Sequence, residues 1–347
     1  MKVYYVINKY DGCYYVRCLL PQRHNGWSGD LMTMYDQPRN KQESAIECIN
    51  SDVVVFHRPD SKERIEAMKL LKQMGKVVVF DNDDTYKVGD DMQRAGVDFN
   101  ETAKWIDEAI KQADLVTCST EFLAKEYREI HSNVVVMPNC VDSFDWPDPL
   151  KNETDKIRVG IVGSTTFNDD SLPAEELLEE LSADDKFQLV MFGTPSRKVS
   201  SSEQKKHYKK DIAFWEQFKV EWHNFVPMFN YFDALNELKL DVMLIPRRDN
   251  YFNLCKSNIK WLEASMLEIP VIAQNFKNSP YKTIQHGKTG WLTSDWKVKD
   301  LLLNRNALRE VGKNAKKDVL KNYDINKKAH LYDELYQKLC KSKTKNW

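Results

Sequence analysis

The stretch CKSNIKWLEASMLEIPVIA, residues 255 to 273, joins the pattern of a helix to that of a buried strand. Ile259, Leu262 and Met266 fall at i, i+3 and i+7, the spacing of one apolar stripe on a helix. The run after Pro270 is short and apolar, which is typical of a strand. A helix that leads directly into a buried strand is the unit of an α/β fold.

Short apolar runs of this kind recur along the whole chain, separated by polar or amphipathic pieces. They read KVYYVIN, DVVVFHR, KVVVFDN, DLVTCST and NVVVMPN in the first 140 residues, then KIRVGIVG, FQLVMFG, VEWHNF and DVMLIP. Continuous apolar character indicates strands covered on both faces, as in a parallel sheet flanked by helices. Helical segments such as 61–75 lie between them. The sequence therefore predicts an α/β protein of two doubly wound sheets that face each other across a cleft.

A linker-like segment, DWPDPLKNETD at 145–155, divides the chain. We expect a first domain over 1–150, a second over 151–320, and a terminal helix with its tail over 321–347. That helix repeats Leu331, Leu335 and Leu339 at i, i+4 and i+8, which predicts its buried face.

Composition and charge exclude several classes of protein. The net charge is −1, 42% of the residues are hydrophobic and 30% are charged, as in soluble globular proteins. There is no run of eighteen apolar residues, no C-x-x-C and no H-E-x-x-H, so neither a membrane span nor a metal site is predicted. Seven scattered cysteines indicate a cytoplasmic protein. The basic clusters 196–210 and 341–345 are either solvated surface or a peripheral contact with the inner face of a membrane.

The loop after the strand 156–163 is a candidate anion-binding loop. Gly160 and Gly163 permit close approach of a ligand to the backbone, and Asp170 or Ser171 is expected to cap the following helix. The loop is neither G-x-G-x-x-G nor a Walker loop, so a nicotinamide fold is not indicated. A plain tight turn is the alternative.

The helix of the opening stretch begins with groups suited to a phosphate. Ser257 is a candidate N-cap, so the helix would begin near Asn258, with Lys256 beside its positive end. Such a site can bind a diphosphate. Glu263 lies less than two helical turns after this helix start. Its carboxylate could therefore accept hydrogen bonds from two hydroxyls of the ribose of a nucleotide. The alternative is a surface acid paired with Lys260.

The segment FNLCKSNIKWLEASMLEIPVIAQNFKNSPYKTIQHGKTGWL, 252 to 292, resembles the donor half of the GT-B glycosyltransferases, in particular the family 4-like retaining enzymes. VGIVGSTTFNDD, ADLVTCSTEFLA, VVVMPNCVDSFDW and MGKVVVFDNDDTY also look like elements of that family. The resemblance covers about 50 to 292. It implies two Rossmann-like domains and a terminal helix that crosses back to the first.

The resemblance also implies a donor site for a nucleotide-sugar co-substrate, such as a UDP- or GDP-sugar, with no cofactor and no strictly required metal. The donor-binding positions would be Gly163, Ser164, Lys256, Ser257, Asn258 and Glu263. Lys256 would also act in catalysis, because it is aimed at the charge that develops on the leaving phosphate. The family's transfer of a sugar with retention of the anomeric configuration implies same-face attack, which would need no nucleophile from the protein.

Two positions depart from the family pattern. Cys255 stands where many relatives carry a Glu that contacts the donor sugar, and FDNDDTY stands where many carry a His. Asp83 or Asp84 would take the place of that His and accept a proton from, or bind, the acceptor. A capped turn is the alternative for these two acids.

Arg17, His57 and Arg58 are candidates for contact with the acceptor, or else structural residues. The expected partner is a glycan or glycolipid hydroxyl, in polysaccharide or glycoconjugate synthesis. Two alternatives stay open: a bacteriophage-type DNA glycosyltransferase that acts on a hydroxylated base, and a non-catalytic protein that binds sugar nucleotides.

Overall fold

The computed structural model describes residues 1–7, 11–31, 39–87, 99–163, 170–194 and 212–344. Within these ranges the chain forms two six-stranded parallel sheets. The first contains β1 (Val3–Val6), β2 (Ser28–Gly29), β3 (Val53–His57), β4 (Val77–Asn82), β5 (Leu115–Cys118) and β6 (Val134–Val136). The second contains β7 (Ile157–Val162), β8 (Phe187–Thr194), β9 (Val220–Asn224), β10 (Val242–Ile245), β11 (Val271–Gln274) and β12 (Trp291–Thr293). This confirms the predicted α/β architecture of two Rossmann-like halves.

Both faces of each sheet are buried. In β1, Val3 and Tyr5 join the core on one face of the first sheet, while Tyr4 and Val6 join the core on the other. Alternate side chains of a strand point to opposite faces, so a strand buried on both must be apolar throughout. The continuous Val-rich runs of the sequence reflect this burial.

Helices cover these faces. They are α1 (Gly12–Tyr14), α2 (Leu20–Asn25), α3 (Lys41–Ile49), α4 (Lys62–Gln73), α5 (Phe99–Gln112), α6 (Glu121–Arg128), α7 (Glu175–Ala183), α8 (Met228–Glu237), α9 (Tyr251–Cys255), α10 (Ile259–Met266), α11 (Lys299–Leu302), α12 (Arg305–Asn322) and α13 (Ala329–Thr344). A π-helical stretch, Tyr15–Leu19, joins α1 to α2, and 212–216 is also helical. No helix in the described ranges is both long and apolar enough to cross a membrane.

The strand order places one crevice at the centre of the second sheet, which runs β12-β11-β10-β7-β8-β9. From β7 the chain winds outward through β8 and β9, then returns to β10 on the other side of β7. The carboxyl ends of β7 and β10 therefore form a topological switch point, the usual ligand site of such sheets.

The terminal helix α13 packs back on the first half, as the resemblance implied. Tyr336 stacks on Trp27, with ring centroids 5.4 Å apart, and its hydroxyl lies 3.4 Å from that of Tyr5. The predicted stripe is wrong in one respect: Tyr332 and Tyr336 are buried, whereas Leu331 is 39% exposed. Tyrosines carry this packing because their rings are large and their hydroxyls find partners.

The domain boundaries at 150 and 320 stay predictions. The cluster 196–210 lies outside the described residues, as does the end of the cluster 341–345.

Candidate active site

A cavity of about 160 Å³ opens at the switch point of the second sheet. Gly163 at the end of β7 and Arg247 just after β10 line it, together with Asp170, Lys256 and Lys260. Three cations and one carboxylate therefore converge on one small space. Cationic side chains in such a space can donate charge-assisted hydrogen bonds to an anionic ligand.

Gly163 lines the cavity with its backbone alone, because it has no side chain. Its φ is +149°, a conformation that residues with a Cβ rarely adopt, and its N–H donates to the carbonyl of Phe192 at 2.9 Å. The predicted donor residue Ser164 lies outside the described residues.

Lys256 lines the cavity and also reaches across to the first half of the chain. Its Nζ lies 2.6 Å from Asp84 Oδ2 and 4.0 Å from the centroid of the Phe252 ring. Both members of the ion pair are mostly buried, with 24% and 20% of their side chains exposed. The pair links a cation of the second half to a carboxylate of the first.

The helix start differs from the prediction. α10 begins at Ile259, with Asn258 at the N-cap position, rather than with Ser257 as its cap. Ser257 Oγ lies 3.4 Å from the Ile259 N–H, a long contact, and accepts a shorter bond of 2.9 Å from Asn139 Nδ2 of the first half. Asn258 donates instead to Thr283 Oγ1 at 3.1 Å.

Glu263 is fixed in place by two donors. Tyr231 OH and Lys260 Nζ each donate to its Oε2 at 2.8 Å, and the residue is 9% exposed. Burial alone would lower the pKa of Lys260, but the Glu263 carboxylate and the Tyr231 phenol raise it well above its usual value. The lysine is therefore charged at neutral pH. The pairing of Glu263 with Lys260, weighed above as the alternative, is present, and it lies at the cavity.

Neither of the two expected caps is present: Ser171 stands at the N-cap position of the short helical turn Leu172–Ala174 but makes no side-chain bond to it, and Asp170 is bound elsewhere. It accepts bonds from Arg247 Nη1 at 2.8 Å, from the Arg248 backbone N–H at 3.2 Å and from Asn253 Nδ2 at 2.6 Å. It thereby fixes the segment that follows β10 against the cavity. Sequence reasoning missed Arg247 and Asp170. The sequence signal that could have identified Arg247 is a pair of arginines just after a strand of the switch point.

A second group of charges lies at the carboxyl ends of β3 and β4 in the first half. Arg58 has a φ of +50°, and its Nη2 lies 2.6 Å from Asp83 Oδ1 and 3.8 Å from Asp84 Oδ2. Burial would raise the pKa of Asp83, but Arg58 and nearby cations hold it well below its usual range. Asp83 is thus ionised, and a line of charges runs from Arg58 through Asp84 to Lys256. Left-handed backbone at a non-glycine residue is often a feature of functional sites.

Arg17 and His57 lie beneath this surface rather than on it. Arg17 donates to Asp81 through Nε at 3.0 Å and Nη2 at 2.5 Å, and His57 Nδ1 lies 3.2 Å from the same carboxylate. Neither side chain is exposed to solvent. Their placement corrects the expected contact with an acceptor, because both are structural partners of Asp81 at the end of β4.

Comparison with solved structures finds proteins that share this architecture over nearly the whole chain. Sucrose-phosphate synthase from Thermosynechococcus elongatus matches with a TM-score of 0.69 at 14% identity, over 99% of this chain and 100% of that one. HepE from Anabaena, in complex with UDP and glucose, matches with a TM-score of 0.66 at 10% identity, over 97% and 99%. A glycosyltransferase from Rickettsia africae ESF-5 matches with a TM-score of 0.64 at 14% identity, over 97% and 98%. The chain has the GT-B fold. No protein-family model matches the sequence, and neither does any curated protein.

Within this GT-B fold, the Cys255 side chain is part of the core of the first half rather than of the cavity wall. It is fully buried in the apolar cluster that includes Tyr127, and its carbonyl accepts a bond from Thr120 Oγ1 at 3.3 Å. Burial raises the pKa of the thiol well above its usual value. Cys255 therefore packs in the contact between the two halves, and it is not among the residues that line the cavity.

Among the described residues, no group of three or more His, Cys, Asp or Glu side chains is arranged to hold a metal ion.

Proposed function

We propose that the protein is a retaining glycosyltransferase that moves a hexosyl or pentosyl group from a nucleoside-diphosphate sugar to a hydroxyl acceptor. One observation carries the proposal: the cavity at the switch point of the second sheet is lined by Gly163, Arg247, Lys256 and Lys260, with Glu263 hydrogen-bonded to the last of these. Cationic side chains suit a diphosphate, and a fixed carboxylate next to them suits a ribose.

The donor would bind with its diphosphate in the cavity. Lys256, Gly163 and the start of α10, with Ser257 and Asn258, would contact the phosphates. Both described bonds to Glu263 end on Oε2, so Oε1 would accept from the ribose hydroxyls. The HepE complex contains UDP and glucose, which supports a UDP-sugar as the first donor to test, with GDP-sugars next.

Charge develops on the leaving diphosphate as the bond to the anomeric carbon breaks. Lys256 stabilises this charge, and preorganised electrostatic stabilisation is usually the largest catalytic contribution. With same-face attack, the acceptor hydroxyl bonds to the anomeric carbon while its proton passes to the leaving phosphate oxygen. No protein nucleophile and no metal are then needed. Asp83 and Asp84 orient the acceptor hydroxyl from the opposite side of the cleft.

The acceptor is proposed to be a hydroxyl of a glycan or glycolipid, in polysaccharide or glycoconjugate synthesis. Arg58 is the candidate acceptor contact, whereas Arg17 and His57 would act only by positioning the loop after β4. No disulfide joins the seven cysteines, all of which lie in the described residues, and this supports a location in the reducing cytoplasm. A glycolipid acceptor would bring the protein to the inner face of a membrane as a peripheral protein.

The proposal is tested by a thermal-shift screen of UDP- and GDP-sugars. A donor at 100 times its Kd stabilises the folded state by about 2.7 kcal/mol. We expect one donor class to raise the midpoint of the wild type and of Glu237→Gln, an exposed control on α8. Glu263→Gln should respond far less, because its amide cannot replace the charged acceptor of the ribose hydroxyls.

If no nucleotide-sugar protects the wild type, or if Glu263→Gln responds as fully as the control, the donor site is assigned wrongly. Mass spectrometry of the protecting donor with and without added glycan separates an enzyme from a non-catalytic binding protein. Formation of a glycosylated product, or slow release of free sugar from the donor, identifies an enzyme.

A further inference from the structure

The loop that follows β7 contains no cation. Residues 163 to 171 read GSTTFNDDS, with two acids and neither lysine nor arginine. A diphosphate in this cavity therefore depends on cations from other elements. The described lining offers three: Arg247, Lys256 and Lys260.

Arg247 holds a donor that the described part of the chain leaves unused. Its Nη1 donates to Asp170, and its guanidinium also lies beside the Tyr281 phenol. Its Nε is buried and has no acceptor among the described residues. A buried donor without a partner is rare in folded proteins and calls for an acceptor that binds there. Arg is also the side chain best shaped for phosphate, because its N–H groups form a planar fork.

Lys260 also has a hydrogen-bond donor to spare. Its Nζ donates to the Glu263 carboxylate at 2.8 Å and lies 3.0 Å from the Tyr231 hydroxyl. An ammonium has three N–H donors, so one is left for a ligand in the cavity that the residue lines. The raised pKa described above keeps all three protons in place.

These two cations differ from Lys256 in where their partners lie. Asp170, Glu263 and the residues that hold them belong to the second half, whereas Lys256 is paired with Asp84 of the first. Arg247 and Lys260 are thus fixed whether or not the two halves are in contact. The position of Lys256 depends on both halves.

We propose that Arg247 and Lys260 form the clamp that binds the diphosphate of the donor, while Lys256 acts across the cleft in turnover. This inference rests on the proposed function and deepens it. It assigns donor affinity to two residues that the family resemblance did not assign to the donor. The ligand class is a nucleoside diphosphate or its sugar ester.

The test is calorimetry with UDP, GDP, uridine and guanosine on the wild type, Arg247→Gln and Lys260→Gln. A charge-assisted hydrogen bond is worth about 1.5–3 kcal/mol, so each change should weaken diphosphate binding roughly 10- to 100-fold. Nucleoside binding should not change, since the amide introduced by Lys260→Gln can still donate to Glu263. Lys317→Gln is the control: it removes a cation at an exposed position on α12, outside the described cavity lining, and should bind as the wild type does.

Three outcomes are informative. If the wild type binds UDP or GDP and both variants bind it within about twofold, the clamp is wrong and the proposed function stands. If nucleoside binding falls as much as diphosphate binding, the residues are structural and the clamp is again wrong. If the wild type binds neither diphosphate, the proposed function fails and the clamp fails with it. Arg247→Met and Lys260→Met, which also remove the charge, replace any glutamine variant that circular dichroism shows to be unfolded, and the same 10- to 100-fold loss is expected of them.

Discussion

The buried ion cluster at the end of β4 makes a sharp prediction about stability. Asp81 is 2% exposed and accepts from Arg17 twice, from Thr117 Oγ1 at 2.7 Å and from His57 Nδ1 at 3.2 Å. Asp81→Asn keeps the shape but removes the charge and turns an N–H₂ group toward other donors. Breaking one side of a buried pair leaves the Arg17 guanidinium without a counter-charge, which costs about 3–5 kcal/mol.

The pH dependence of this effect has a definite sign. Burial would raise the pKa of Asp81, but Arg17 and His57 lower it from 3.8 to about 2. A lowered carboxyl pKa contributes stability above the unfolded value, and this contribution is lost as the pH falls through the folded value. The shift corresponds to about 2 kcal/mol. The wild type should therefore lose about 2 kcal/mol of its advantage over Asp81→Asn as the pH falls from 4 to 2.

Urea unfolding from pH 7 to pH 2.5, followed by circular dichroism, measures both effects. Asp233→Asn, an exposed change on α8, is the control and should lie within about 0.5 kcal/mol of the wild type. The double variant Arg17→Met with Asp81→Asn should lose less free energy of unfolding than the two single variants lose together, by about 0.5–3 kcal/mol. If Asp81→Asn costs under 1 kcal/mol at pH 7, or its cost does not vary with pH, the cluster does not act as a buried ion pair.

Three further predictions follow from the cleft and the terminal helix. Asp84→Asn removes a partly exposed ion pair with Lys256, so the free energy of unfolding in urea should fall by at most about 1 kcal/mol. The affinity for UDP or GDP by calorimetry should change less than about twofold, and a larger change would contradict the division of roles between Lys256 and the clamp. Lys256→Gln should lower donor turnover by about 10²-fold or more, measured as release of free sugar, with diphosphate affinity changed much less. An unchanged rate would remove Lys256 from catalysis. Tyr336→Ala deletes a ring buried against Trp27 and should cost about 3–5 kcal/mol in urea unfolding, whereas a loss below 1 kcal/mol would mean that α13 is not needed for the first half.

Local apolar patterns predict ten of the twelve strands of the described residues and several of the helices, but not the short strands β2 and β12. Strands buried on both faces are unmistakable, and the stripe of Ile65, Met68 and Leu71 is buried in α4 as its spacing predicts. The terminal helix shows the limit of such patterns. Its leucines and tyrosines both recur at helical spacing, and only the large aromatic rings of the partner surface select Tyr336 over Leu331.

The charged groups of the site could not be paired from the sequence, because their partners come from distant segments. Lys256 meets Asp84 across 172 positions, and Asp170 meets Arg247 across 77. The sequence leaves Arg17 open as a candidate for acceptor contact or a structural residue, and its ion pair with Asp81 buries it completely. Motif spacing therefore predicted the site in the second half. It did not predict which charged side chains pair with each other, and that pairing separates a residue that can contact a ligand from a structural one.

The central claim is that the switch-point cavity of the second sheet binds a nucleoside diphosphate. A crystal structure with UDP or GDP bound tests it most directly. We expect phosphate oxygens within hydrogen-bond distance of Arg247 and Lys260, and ribose hydroxyls within hydrogen-bond distance of the Glu263 carboxylate. A nucleotide bound elsewhere, or a cavity that stays empty at saturating ligand, would contradict it.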